Sequence, residues 1–163
     1  MKDYLKNITK GKVSWSQLGS EIRNFILEEP EMKYQLIIGS DSRSKDVRTK
    51  PGIDLVTAVV IHRKGRGGRY FWSKEKVENI YSLKEKLYRE TVASLEAARR
   101  LLDILKEDLN GHYEELEIHI DVGENGPSRQ MIKELVGMVN GNGFKAKVKP
   151  SAFAAASVAD KYT

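Results

Sequence analysis

The sequence predicts an α/β fold: a five-stranded mixed sheet in the order βββαβαβα, flanked by helices and preceded by an N-terminal helical extension over residues 1–33. Three observations predict it. Tyr34–Ser40 is an apolar run bounded by polar signals, which reads as a strand buried on both faces. Ile53–His62 is rich in β-branched residues and leads through the glycine-rich turn Arg63–Arg69 into Tyr70-Phe-Trp-Ser, a hairpin with a basic tip. Beyond it, helical and strand patterns alternate to the end of the chain. A meander followed by αβαβα gives three antiparallel strands with parallel additions through crossovers.

Each element has its own signal. Residues 1–14 are polar and are expected to be loosely ordered. Ser16–Leu27 carries Leu18, Ile22, Phe25 and Ile26 at helical spacing, with Pro30 just beyond. Asn79–Ser82 offers a helix start, and Leu83–Leu105 has the period of a long amphipathic helix. Glu115–Val122 reads as the fourth strand. Pro127–Asn140 reads as a helix ended by Gly141-Asn-Gly143. Phe144–Lys149 is a short fifth strand, and Ser151 is expected to cap a final helix running toward Tyr162.

The 163 residues are most simply one domain with a substantial core, at 40% hydrophobic and 31% charged residues. No apolar run approaches the roughly 20 residues that span a bilayer, and the N-terminus lacks the apolar core of a signal peptide. Zero cysteines exclude disulfides, thiolate metal sites and cysteine nucleophiles. A cytoplasmic location is the default expectation. The formal charge is +5, and the segment Arg43–Lys76 alone carries ten Lys/Arg against three acids. Such a concentration suggests a polyanionic partner, nucleic acid first, and equally suits a solvated surface.

Four acids are candidates for chemistry. Asp41 ends the first strand, after Gly39, and Asp121 ends the fourth, near Gly123. If those strands are neighbours, both carboxylates sit at one sheet edge. At roughly 100° per residue, Leu83, Leu87, Ser94, Leu101 and Leu105 form a stripe with Glu90 in its middle. A glutamate there must be paired, protonated or metal-bound, because burying a bare charge is expensive. A salt bridge to Lys86 is the plainer alternative. Asp160, near the end of the last helix, opposes the helix dipole unless a cation is close. Carboxylates without His or Cys ligands favour a hard cation, Mg²⁺ or Mn²⁺. Two such ions roughly 3.5–4 Å apart suit phosphodiester hydrolysis.

Other residues carry weaker signals. Pro127 suits a first helical position, where free N–H groups with Ser128 and Arg129 could hold a phosphate; simple capping serves as well. Glu124 is a possible extra ligand. Arg63, Lys64, Arg66 and Arg69 could grip a nucleic-acid backbone, and Tyr70 or Trp72 could stack on a base, although such aromatics more often pack a sheet face. His119 shares the alternation of Asp121 and more simply forms a hydrogen bond within the strand; His62 and His112 are expected to do nothing chemical.

The order of an acid on strand one, on the first long helix, on strand four and on the last helix resembles the ribonuclease H-like nuclease superfamily. More narrowly, Ile38-Gly-Ser-Asp-Ser42, His62-Arg-Lys-Gly-Arg-Gly-Gly-Arg69, Tyr88-Arg-Glu-Thr91, Ile118-His-Ile-Asp-Val-Gly-Glu-Asn-Gly126 and Val158-Ala-Asp-Lys-Tyr-Thr163 resemble the YkuK-like family of bacterial proteins, over roughly residues 15 to 163. The resemblance implies a metal-dependent nuclease with Asp41, Glu90, Asp121 and Asp160 in the four acidic positions, using two Mg²⁺ or Mn²⁺ ions on DNA, RNA or a hybrid. Here the first-strand motif runs Gly-Ser-Asp-Ser rather than Asp-Gly-Ser, and no flexible loop with a histidine precedes the last helix. Two other expectations stand beside it: a non-catalytic nucleic-acid-binding or regulatory module on the same fold, and a purely structural network of acids.

Overall fold

The computed structural model describes residues 2–45, 50–105, 109, 111–152 and 154–163. The chain forms strands β1 (Tyr4–Asn7) and β2 (Gly11–Ser14), helix α1 (Trp15–Glu28), then the meander β3 (Tyr34–Lys45), β4 (Gly52–Arg63) and β5 (Gly68–Glu78). Helix α2 (Leu83–Leu105), β6 (Glu117–His119), a 3₁₀ turn (Pro127–Met131), α3 (Ile132–Gly141), β7 (Lys145–Lys147) and α4 (Ala154–Tyr162) follow. The sheet is mixed and runs β2-β1-β5-β4-β3-β6-β7. Antiparallel pairing joins β3, β4 and β5, whereas β6 lies parallel to β3 and β7 parallel to β6.

The sheet therefore has seven strands, not five. The two extra ones come from residues 1–14, expected to be loose. Among the described residues there, Leu5 and Val13 alone are buried, and each strand has four residues, too short for alternation to register in the sequence. The hairpin exists because β1 adds to the edge of β5, with Lys6 opposite Trp72 and the Asn7 amide donating to the Tyr70 carbonyl at 3.0 Å. The N-terminal extension is thus a hairpin plus a helix. Its helix opens on a reciprocal cap: Ser14 Oγ accepts from the Gln17 N–H, and Gln17 Oε1 accepts from the Ser14 N–H. Helix α2 is capped the same way by Ser82 and Glu85.

The two faces of the sheet divide the labour. Leu36 and Ile38 on β3 and Ile118, Ile120 and Val122 on and after β6 join Leu87, Leu101 and Leu105 of α2, with Leu135 and Val139 of α3, in the main core. On the opposite face, Val56 and Ala58 of β4 pack against Ala159 of α4, and Ile37 and Val60 touch Val158. Residues alternate between faces along each strand. Ser40 and Ser42 consequently look toward α2, and Asp41 looks toward α4. Among the described residues no helix is long and apolar enough to cross a membrane.

Candidate functional site

Four elements deliver the acids. Asp41 lies within β3 rather than at its end, because β3 continues to Lys45 against Gly52–Val56. Asp121 follows β6 by two residues. The parallel register pairs Ile37 with Glu117 and Gly39 with His119; carried on two residues, it sets Asp121 beside Asp41 on the same face. Glu90 comes from α2 on the other face, and Asp160 from α4.

The burial of the four differs. Glu90 is only 4% exposed. Its carboxylate accepts from the Ser42 hydroxyl at 2.7 Å and stands 3.7 Å from the Lys86 ammonium, so the simple ion pair and the buried carboxyl coexist. A short chain of hydroxyls, Thr57–Ser40–Ser94 at 3.0 and 2.9 Å, pins α2 to the sheet next to it. Asp41 and Asp121 are half-buried and Asp160 is exposed. The Thr163 hydroxyl stands 3.5 Å from Asp41 Oδ2.

Electrostatics tie the acids together. Burial raises the Asp41 carboxyl above its ordinary pKa; Lys86 opposes the rise, and Asp121 and Asp160 add to it. Burial also pushes Glu90 to about 7, with Ser42 and Lys86 opposing and Asp41 and Asp121 reinforcing. Lys149 answers them: its ammonium meets Asp121 Oδ1 at 2.5 Å, and that hydrogen bond, with the charges of Asp121, Asp41 and Asp160, raises its own pKa. A Cβ on Gly123 would come within 3.2 Å of Lys149 Cβ, so the missing side chain there leaves room for the lysine beside Asp121.

Asp41 is thus within electrostatic reach of Asp121, Asp160 and Lys86, and Glu90 of Asp41, Asp121 and Lys86, while Lys149 pairs with Asp121. Among the described residues no three His, Asp or Glu side chains stand close enough together to hold one ion. The chemistry of the donors, oxygen only and short of positive charge, suits a hard divalent cation; their spacing as found suits the lysines. Sequence reasoning missed Lys149, although Lys145-Ala-Lys147-Val-Lys149 alternates at strand period.

The phosphate candidates separate. The hairpin tip joins β4 to β5 beside Tyr34, seven residues along β3 from Asp41, or about 23 Å at strand rise. Arg63 is buried: its guanidinium donates to Tyr34 Oη (3.0 Å), the Phe25 carbonyl (2.8 Å), Glu29 (2.9 Å) and Glu28 (3.1 Å). It holds α1 to the sheet, with four of its five N–H groups so engaged. Arg66 pairs with Glu29, Arg69 with Glu28 and Lys64 with Glu114, all near the surface. Ser128 and Arg129 lie on the 3₁₀ turn, not on a long helix; Pro127 forbids a backbone donor there, and the α-helix begins only at Ile132. Trp72 stacks on Tyr162 with ring centroids 3.8 Å apart, and Tyr70 donates to or accepts from the Tyr162 hydroxyl at 3.2 Å. Both aromatics dock α4.

A mixed sheet carrying acids from β3, the segment after β6, α2 and α4 defines a class: an α/β protein with an acidic centre at the β3–β6 junction. Comparison with known proteins narrows it. Residues 17–163 match the family model described as Ribonuclease H-like, and the chain belongs to that family. The chain is 30% identical, over 96% of its length and 95% of the relative's, to the uncharacterized protein YkuK of Bacillus subtilis (strain 168), which makes it YkuK-like within the family. No solved structure gives a significant match.

Proposed function

We propose that the chain is a divalent-metal-dependent nuclease hydrolysing phosphodiester bonds, with Asp41, Glu90, Asp121 and Asp160 as the carboxylates that would hold two Mg²⁺ or Mn²⁺ ions. The supporting observation is convergence: burial raises the proton affinity of Asp41 and Glu90, the charge of Asp121 adds to both, and that of Asp160 adds to Asp41. Ions held there would supply an activated water and stabilise the leaving oxygen. The chain's own residues orient and neutralise. Ser42 fixes Glu90, Thr163 approaches Asp41, and Lys149 holds Asp121 until a cation or phosphate competes for either partner. Ser128 and Arg129, on the turn beyond Asp121, are proposed phosphate contacts.

The test is Mn²⁺-dependent cleavage across single-stranded, duplex and hybrid substrates. Asp41→Asn is expected to lower it by at least about a hundredfold, since it removes one charge from the centre of the cluster. Purified protein that cuts none of them refutes the enzymatic reading. One observation favours a second reading, a non-catalytic nucleic-acid-binding or regulatory module: Lys86 and Lys149 already neutralise part of the cluster. In that case Asp41→Asn leaves binding intact, and the wild type cuts nothing.

A further inference from the structure

Beside α4 on the same sheet face lies a cavity of about 560 Å³, within the range of small-molecule sites. Its floor is Ile37 and Val60, Tyr70 forms one wall, and Glu117 and His119 give it a polar side. Those two are buried and hydrogen-bonded to each other at 3.1 Å. Lys147 stands on one rim, Lys64 and Arg69 on the other.

The Lys147 rim belongs to a longer feature. Strand β7 pairs in parallel with β6, Lys145 opposite Glu117 and Lys147 opposite His119. Ala146 and Val148 pack into the main core, so Lys145, Lys147 and Lys149 share the opposite face. Lys145 and Lys147 stand two strand residues apart, roughly 6.6 Å, and Lys149 follows on the turn after β7, its N–H on the Val122 carbonyl at 2.9 Å. The separation of Lys145 and Lys147 is close to the step between successive phosphates of a stretched single strand. Lys145 leans on Glu117 at 3.4 Å and Lys149 on Asp121 at 2.5 Å, whereas Lys147 forms no ion pair among the described residues. Strand β7 is the last in the sheet, so the row is open from outside.

We propose that this face is a track for single-stranded nucleic acid: the cavity takes one base, and Lys145, Lys147 and Lys149 take consecutive phosphates, leading the strand from the cavity to the acidic cluster. The apolar floor and Tyr70 match a base face, and the row of ammonium groups matches a backbone. A duplex does not fit, because its bases are stacked and paired where the cavity needs one turned inward. Lysines on an edge strand also deter strand pairing, which by itself would need no ligand.

Naming single strands as substrate rests on the nuclease reading; the binding track does not. The experiment is fluorescence anisotropy of a labelled oligodeoxythymidine titrated in EDTA, with the matching duplex in parallel. The wild type is expected to bind the single strand at least about tenfold tighter than the duplex. Lys147→Glu weakens single-strand binding about tenfold and lowers the salt slope by about 0.7 for the lost contact. Ser151→Trp, an exposed position at the cavity's edge, weakens binding without changing that slope. Equal affinity for duplex, or wild-type affinity in both variants, overturns the track. Cleavage lost in Asp41→Asn with unaltered binding by the Lys147 variant leaves the nuclease standing without the track. Binding lost in Lys147→Glu by a protein that cuts nothing leaves the track without the nuclease.

Discussion

Glu90 sits on a buried helix face among Leu87, Ser94 and Leu101, where an ionised carboxylate has little water to solvate it. Burial, with Asp41 and Asp121 nearby, lifts its pKa from 4.5 to about 7 against the pull of Ser42 and Lys86. The folded state therefore holds this proton more tightly than the unfolded chain does. Between pH 4.5 and about 7 the unfolded chain binds fewer protons at this position, so stability falls as pH rises across that window. The expected loss is roughly 3 kcal/mol, complete above pH 7. Glu90→Gln removes the titration: in metal-free buffer its urea midpoint is expected to change less between pH 5 and pH 8 than the wild type's, and to exceed it at pH 8. An unchanged difference between the two pH values would place the burden on another group. Glu90 was legible from the sequence because helical period alone fixes which face a residue occupies. Lys149 was not, because what makes it matter is the carboxylate of Asp121 on the neighbouring strand, and strand order is a property of the fold.

Helix α4 carries Asp160 to the cluster, and its docking is local and specific. Tyr162 stacks on Trp72, accepts or donates a hydrogen bond with Tyr70, and presents its carbonyl to Lys74 at 3.3 Å, with the Thr163 carbonyl at 3.1 Å. Ala159 completes the contact on Val56 and Ala58. Trp72→Ala removes the stack, and because Trp72 is only half-buried the cost is expected to be about 2 kcal/mol rather than the larger value of a core tryptophan. Cleavage under the nuclease reading should fall about tenfold, with Trp72→Phe recovering most of it. A variant destabilised by that amount that still cuts at full rate would show that Asp160 does not depend on the stack. The meander, α2 and the strand–helix alternation after it were all legible, since each has a strong period. The end of β3 was not: Asp41–Lys45 is polar and became strand only because β4 offers backbone partners as far as Gly52. The β1–β2 hairpin was missed for the same reason, since β5 supplies what four-residue strands lack.

Across the whole molecule, charge that looks like one basic surface in the sequence is divided between two tasks. Of the cations in Arg43–Lys76, Lys45 and Lys74 clasp the buried Asp54 at 2.8 and 3.3 Å, and Arg63, Arg66 and Arg69 turn to Glu28, Glu29 and Glu21 on α1. A local excess in one dimension says nothing of acids that folding brings from elsewhere. The basic hairpin is therefore first a clasp between the N-terminal helix and the sheet, whereas on β7 Lys147 forms no ion pair among the described residues. Within the clasp the members are unequal. Arg63 is buried, lies 4.1 Å from the Phe25 ring centroid and satisfies Tyr34 and the Phe25 carbonyl, so truncating it strands several polar groups away from water. Arg66 makes a surface pair of the kind worth little. Arg63→Ala is expected to lower Tm by roughly 5–10 °C and Arg66→Ala by no more than about 2 °C. Single-strand affinity, read at a temperature where both remain folded, should change little in either. A large loss of affinity in Arg66→Ala with Tm intact would return the hairpin tip to the nucleic-acid surface and take the β7 row out of that role.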